Sequence, residues 1–221
     1  DSALGLIDEF EDTTVAILKH NNACGVATRN TVREAWTDAL ACDPVSAYGG
    51  VVVVNRAVDT AAAEEMDKLF LEVIIAPSYS AEALEILKHK KNRIVLLRKE
   101  SARPSESFRS MFGGVLWQEK DLANETAADM KIVTEKAPSA AQIDDMVFAN
   151  RIVKHSRSNA IVLARNRQLC ASGIGQTSRI DALKQAIEKA GTFGLSLKDA
   201  VMASDAYFPF ADSVETAAKA G

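Results

Sequence analysis

The sequence predicts an α/β fold, and three observations carry that prediction. Strand-like and helix-like stretches alternate through the first hundred residues. The run Val51-Val52-Val53-Val54 is unbroken and β-branched, the pattern of a strand covered on both faces. The 221 residues are 48% hydrophobic and 25% charged, which suffices to bury a sizeable core around such a sheet.

Ser2 to Phe10 reads as a short amphipathic helix with Leu4, Ile7 and Phe10 on one face. Residues 13–18 read as a strand that hands Lys19-His20-Asn21-Asn22-Ala23-Cys24-Gly25 to a tight polar turn. In that turn Gly25 is expected to let the backbone come close to a ligand. Residues 31–42 place Val32, Ala35, Trp36 and Ala39 on one helical side, and Asp43-Pro44 ends the helix. Ser46-Ala47-Tyr48-Gly49-Gly50 leads into the valine strand. Its glycines read either as a plain bend or as a place where a ligand comes close. A helix follows from Asp59 to Phe70, capped by Asp59 or Thr60. Then come a strand at 73–75, a helix at 80–88 capped by Ser80, and a strand at 93–97. The basic run Lys88-His89-Lys90-Lys91 reads as a solvated helix C-terminus, where positive charge suits the helix dipole.

Residues 99–107 lose periodicity, and 108–118 read as one strand with Gly113-Gly114 inside it. The predicted organisation is a first subdomain over 1–118, a crossover over 119–138 and a second subdomain over 139–221. The second opens with a helix at 139–153, whose inner stripe is read as Ile143, Met146, Val147, Asn150 and Val153. A polar loop at 154–159, a strand at 160–164, a turn at 165–167 and a return strand at 168–171 follow. Gly173 to Arg179 opens a helix at 180–190. This loop suits an anion but matches neither GxxxxGK[ST] nor GxGxxG. After a strand at 201–203, the loop 204–210 carries three aromatics around Pro209, which read as a core plug or as a stacking surface for a flat heterocycle. Asp212 or Ser213 is expected to cap a final helix. No internal repeat is evident in the residues.

There are 26 Lys and Arg against 30 Asp and Glu, a net charge of −4. That argues against a nucleic-acid partner, which calls for a basic field. Cys24, Cys42 and Cys170 are odd in number, far apart and without a CxxC pair. Neither a disulfide framework nor a cysteine-pair zinc site is expected, and reduced thiols point to a cytoplasmic protein. No apolar run approaches membrane-spanning length, so no membrane partner is expected. The ends at Asp1 and Gly221 are expected to be those of an excised fragment.

The turn after the first strand gathers most of the chemistry. Lys19 can supply positive charge, His20 can exchange protons near neutral pH, and Asn21 and Asn22 can donate and accept hydrogen bonds. A Lys-His pair at a strand end is ordinarily a solvated terminus, yet loops at strand ends carry sites disproportionately.

Six stretches in order carry a resemblance. They are residues 19–25 (KHNNACG), 43–50 (DPVSAYGG), 72–77 (EVIIAP), Ser158-Asn159, 173–179 (GIGQTSR) and 204–210 (SDAYFPF). Together they resemble the AICAR transformylase portion of the bifunctional AICAR transformylase/IMP cyclohydrolase family, through nearly the whole chain. The resemblance implies two cytidine-deaminase-like three-layer α/β/α subdomains without the deaminase zinc. It implies formyl transfer from 10-formyltetrahydrofolate to the 5-amino group of AICAR, giving FAICAR. It also implies a homodimer with sites at the subunit interface. By the same resemblance Lys19 and His20 are the catalytic pair and Asn159 orients the formyl group. Asn21, Tyr48, Gly49, Glu72, Gln176, Arg179, Ile180, Tyr207 and Asp212 match positions that contact substrate or folate. A potassium ion is implied near Val153, Ser156, Ser158 and Asp205. Two departures from the family pattern stand out. Ala23 occupies a place where proline is common, which is expected to loosen the turn. An upstream arginine-tyrosine-glycine stretch and a C-terminal segment that supply AICAR contacts are absent, so little activity is expected of this chain alone. The rival readings are another enzyme on the same scaffold, such as a zinc deaminase, and a folded module without chemistry.

Overall fold

The structure, a computed structural model, describes residues 1–99 and 104–221. Helix α1 (Ser2–Ile7) leads into a hairpin of β1 (Thr14–Lys19) and β2 (Asn22–Thr28). The two turn residues, His20 and Asn21, have φ of 50° and 66°, as a two-residue type I′ turn requires. Then come α2 (Val32–Cys42), β3 (Gly50–Val54), α3 (Thr60–Asp67), β4 (Leu71–Ala76), α4 (Ala81–Lys88) and β5 (Ile94–Leu97). A separate hairpin, β6 (Glu106–Met111) and β7 (Gly114–Glu119), precedes α5 (Ala140–Lys154). The chain closes with β8 (Ile161–Arg165), β9 (Gln168–Gly173), α6 (Arg179–Thr192), β10 (Val201–Ser204) and α7 (Asp212–Ala220).

Eight strands form one mixed sheet in the order β10-β8-β9-β2-β1-β3-β4-β5. Alternation along the strands divides the core. Val15, Ile17, Val52, Val54 and Ile74 pack with α2, α3 and α4. Ala16, Leu18, Val26 and Val53 pack with α1 and α5. Ile161, Leu163 and Ala171 pack with α6. Helices therefore cover both faces, and the α/β layering that the alternating pattern predicts is the fold observed. Asp59 and Ser80 cap α3 and α4 as expected, and Thr31 closes α2 with a full capping box.

The topology repeats although the residues do not. The order α1-β1-β2-α2-β3 recurs as α5-β8-β9-α6-β10. Both hairpins close through two left-handed residues, the second pair being Asn166 and Arg167. In both, one cysteine is squeezed out of the ladder, Cys24 in the first and Cys170 in the second. In both, the third strand pairs antiparallel with the first.

Several expectations are corrected. Asn22 to Gly25 is strand rather than turn, because the turn needs only His20 and Asn21. Gly25 faces no ligand: a Cβ there would lie 2.0 Å from the Ala39 carbonyl oxygen, so the glycine serves helix–sheet contact. Ala23 accordingly sits in the ladder opposite Leu18, where it has no turn to loosen. Residues 108–118 fold back at Phe112-Gly113 into a hairpin instead of one strand. The aperiodic stretch at 99–107 lies partly outside the described residues. The buried stripe of α5 is Asp145, Phe148, Ala149, Ile152 and Val153. Asp145 faces inward because its carboxylate accepts the Asn166 and Arg167 N–H groups at 2.8 and 2.6 Å. Ala211, not Asp212 or Ser213, is the N-cap of α7.

Candidate active site

One end of the sheet collects the chemistry. Antiparallel pairing brings the C-terminal ends of β1, β9 and β10 beside the N-terminal ends of β2, β3 and β8. Of the family-like segments, 19–25, 43–50, 158–159, 173–179 and 204–210 enter or leave the sheet at that end, whereas 72–77 is β4 itself, with Glu72 near that end and Pro77 at the other. The two repeats meet there imperfectly. β2 and β9 share one ladder pair, Ala27 with Gln168, at the opposite end. Where the ladder is missing, a cleft of about 710 Å³ opens between them, lined by Lys19, His20, Asn22, Cys24, Ser172, Ile174 and Gln185 among others.

Lys19 is held rigidly. Its Nζ donates to the Tyr48 and Gly49 carbonyl oxygens at 2.8 and 2.9 Å. Gly49 sits at φ 64°, the left-handed region that favours glycine, and that conformation turns its carbonyl to the lysine. Glu72 and Phe70 lie beside the same glycine, and Tyr48 stacks obliquely on Phe70 with ring centroids 5.3 Å apart. Two of the three ammonium N–H groups are thus occupied, and the third makes no hydrogen bond among the described residues. The neighbouring His20 is exposed, and its imidazole makes no hydrogen bond among the described residues. Burial, with Asp43 nearby, pushes the Cys24 thiol up to about 12, so this cysteine is a poor nucleophile at neutral pH.

The second repeat supplies the facing wall through Ser172, Ile174, Gln185 and Lys189, whereas Asn159, Gln176, Arg179 and Asp205 do not line the cleft. The Asn159 backbone N–H and Nδ2 both donate to the Gln176 carbonyl, at 3.1 and 3.0 Å. Gln176 Nε2 donates to the Ile174 carbonyl and lies 3.4 Å from Gln185, which joins this group to the cleft lining. Arg179 donates to Ser204 and reaches Asp205 Oδ1 at 3.4 Å. Asp205 also accepts the Ser158 hydroxyl and the Ala160 N–H. Burial raises its pKa, but those hydrogen bonds and Arg179 outweigh it and hold the carboxyl below its ordinary value. The 173–179 loop is less inviting to anions than the glycines promise. Ser178 caps α6, and the Asp181 carboxylate already accepts the Ser178 hydroxyl at the helix start.

The potassium-type donor set is only partly converged. Ser156 N–H donates to the Val153 carbonyl at 2.9 Å, and Ser158 bonds Asp205. The set is oxygen only, one carboxylate among neutral donors, which suits a large monovalent cation. Among the described residues no three His, Cys, Asp or Glu side chains converge on a metal position. No helix of the described residues is long and apolar enough to cross a membrane. Ile180, in the first turn of α6, packs partly against the core. Tyr207 is 81% exposed and Phe210 is exposed too, so of the three aromatics only Phe208 packs against the core. Asp212 bonds only its neighbour Ser213 among the described residues.

Two cleft residues had escaped notice in the sequence. Lys189 Nζ lies 2.5 Å from Asp43 Oδ2 across the opening, and Gln185 stands one turn before Lys189. Spacing along α6 could have flagged them, because Gln185 and Lys189 are four residues apart on one helical face. At the opposite end of the sheet, the repeat produces a second crevice of about 870 Å³. There Arg29 is spent on Asp38, the Thr28 and Asn166 carbonyls and Gln168, and it staples the two repeats together.

Comparison with known proteins gives concordant results. The family model described as AICARFT/IMPCHase bienzyme matches residues 1–189. A bifunctional purine biosynthesis protein PurH from Bacteroides thetaiotaomicron is 63% identical over 221 residues, all of this chain and 44% of that protein. Proteins of the same name are 45% identical in Leuconostoc citreum, over 44% of that protein, and 46% identical in Aquifex aeolicus, over 43% of it, again along the whole of this chain. The chain therefore spans less than half the length of these curated relatives.

Proposed function

Because this chain belongs to the AICARFT/IMPCHase bienzyme family, we propose that it is the portion acting in purine biosynthesis as the AICAR transformylase. It transfers the formyl group of 10-formyltetrahydrofolate to the 5-amino group of AICAR. The observation that carries this reading is the anchored Lys19 beside an unengaged His20 at the mouth of the cleft.

The chemistry follows from that arrangement. The AICAR amine is a weak nucleophile, since its lone pair is delocalised into the ring and carboxamide. Its nitrogen attacks the formyl carbon, a C–N bond forms, and His20 accepts the amine proton as the bond develops. Charge gathers on the formyl oxygen, and the free Lys19 N–H stabilises it at no reorganisation cost, because the Tyr48 and Gly49 carbonyls already fix the ammonium. Collapse expels the folate N10, which takes up a proton and leaves as tetrahydrofolate. Asn159, itself fixed by Gln176, orients the formyl group. Tyr48, Gly49, Glu72 and Asn21 flank the substrate on one side; Gln176, Arg179 and Ile180 flank it on the other. Tyr207 offers an exposed ring for stacking on a flat heterocycle, with Asp212 at the start of the next helix. Val153, Ser156, Ser158 and Asp205 would hold a potassium ion, which would lock the loops that carry Asn159 and Tyr207.

A homodimer accords with the β6–β7 hairpin. Phe108, Met111, Val115, Leu116 and Trp117 are all exposed on it, and an isolated two-stranded ribbon is marginal in water. A second copy is the proposed partner.

The deciding experiment is formyl transfer by the complete protein, followed as tetrahydrofolate release. His20→Ala should lower kcat by about 10²–10⁴, the usual worth of a general base. An active His20→Ala protein would remove the base role, and an inactive wild type would remove the assignment.

A further inference from the structure

The cleft end of the sheet lacks a ladder between the repeats, since β2 and β9 pair only at Ala27 and Gln168. Arg29 secures that far end. Among the described residues, two polar side-chain contacts cross the near end. One is the Cys42 thiol donating to the Cys170 carbonyl at 3.6 Å, a weak bond because sulfur is a poor donor. The other is the Asp43–Lys189 ion pair, with the Asp43 side chain 1% exposed and Lys189 34% exposed. A carboxylate that deep is costly unless it is paired.

Asp43 also begins the loop that ends at Gly50. Its Oδ1 accepts the Ser46 N–H at 2.8 Å, and its carbonyl accepts the Ala47 N–H at 3.1 Å. Lys19 grips the far end of the same loop through the Tyr48 and Gly49 carbonyls. Side chains and backbone thus connect α6, which begins at Arg179, to the Lys19-His20 turn.

We propose that Asp43 and Lys189 are a positioning pair that sets the width of the cleft and aligns Lys19 and His20 with Asn159 and Arg179. The inference rests on the transformylase reading of this site. Neither residue touches the reacting atoms; both act through the 43–50 loop. Burial works against ionisation of Asp43, but Lys189 and the Ser46 bonds outweigh it and lower its pKa, so Asp43 is a carboxylate at neutral pH.

The test uses the complete protein with Lys189→Met, Lys189→Arg and Asp43→Asn. Asp43→Asn can keep an oxygen for the Ser46 N–H while removing the charge. Two readouts are taken: kcat/KM for formyl transfer, and hydrogen exchange of the amides at 45–50. Lys189→Met and Asp43→Asn should each lower kcat/KM about tenfold or more, while those amides exchange about tenfold faster and β1 and β8 keep their protection. Lys189→Arg should recover most of both effects. The double variant should cost little more than either single one, as coupled groups do. Unchanged exchange at 45–50, or loss of protection throughout the chain, would overturn the proposal, as would failure of Lys189→Arg to rescue. Should the wild type lack formyl transfer, the transformylase reading falls, and the exchange readout still decides whether the pair orders the loop.

Discussion

A methyl group at Gly25 would lie 2.0 Å from the Ala39 carbonyl oxygen, and one at Gly173 would lie 1.8 Å from that of Ala182. Both obstacles are helix backbone, which cannot swing aside as a flexible side chain would. Gly25→Ala and Gly173→Ala should therefore each destabilise the protein by about 1–3 kcal/mol, the usual cost of overpacking. The urea midpoint measures this, and a midpoint within error of wild type would contradict it. Glu9 gives a pH prediction at the same scale. It is buried at 6% exposure, and its Oε1 lies 2.8 Å from His155 Nε2 and 3.2 Å from Lys154 Nζ. Burial raises its pKa, but the bonds and charges of His155 and Lys154 outweigh this and lower it below 4.5. A depressed carboxyl contributes stability that is complete above its unfolded pKa and is lost as pH falls through its folded one. Glu9→Gln should therefore cost about 1.5–3 kcal/mol at pH 7, and the gap to wild type should close as pH drops below about 4.5. A gap that widens in acid would contradict it.

At the scale of elements, local rules account for most starts and stops. Thr31 accepts the Glu34 N–H while Glu34 reaches back to the Thr31 N–H, so two orphan donors of α2 are satisfied at once. Thr31→Ala should cost about 1 kcal/mol in a thermal or urea unfolding measurement. The β6–β7 hairpin obeys another rule. Phe108, Val115 and Trp117 lie on one face and Met111 and Leu116 on the other, all exposed, so nothing within the described residues covers these apolar side chains. If a second copy covers it, Phe108→Ser with Trp117→Ser should shift the complete protein toward monomer in sedimentation and leave the far-ultraviolet spectrum unchanged. An unshifted sedimentation coefficient would assign the hairpin another partner.

For the whole molecule, the important core is the one that spans both repeats. Phe148 of α5 packs with Phe10, Leu6 and Ile7, and the same cluster holds Val53 and Val162 from opposite halves of the sheet. The halves should therefore unfold together. Phe148→Ala should cost about 3–5 kcal/mol and lower the hydrogen-exchange protection of β1 and β8 equally. Protection lost in β8 alone would mean that the halves are independent units.

Much of this was legible along the chain. The 3.6-residue period of 31–42, the caps at Asp59 and Ser80, and the valine run at 51–54 specified helices and strand locally, because a capped amphipathic helix or a buried β-branched strand needs little from distant residues. The His20-Asn21 turn and β2 were not legible. Ala23-Cys24-Gly25 has no strand pattern of its own, since Gly25 is chosen for the helix above it and Cys24 is bulged out of register. The stripe of α5 was misread for a similar reason: Asp145 is polar, and only the turn at 166–167 makes its burial favourable. By itself, the sequence determined the layered α/β class, most element boundaries and the identity of the motifs at the strand ends. Only the tertiary structure decided that most of those motifs share one end of one sheet, that the topology repeats, and that the missing β2–β9 ladder opens the cleft. Hydrophobic period and capping are written in near neighbours, whereas pairing register and the Asp43–Lys189 contact join residues far apart in the chain, and nothing local records them.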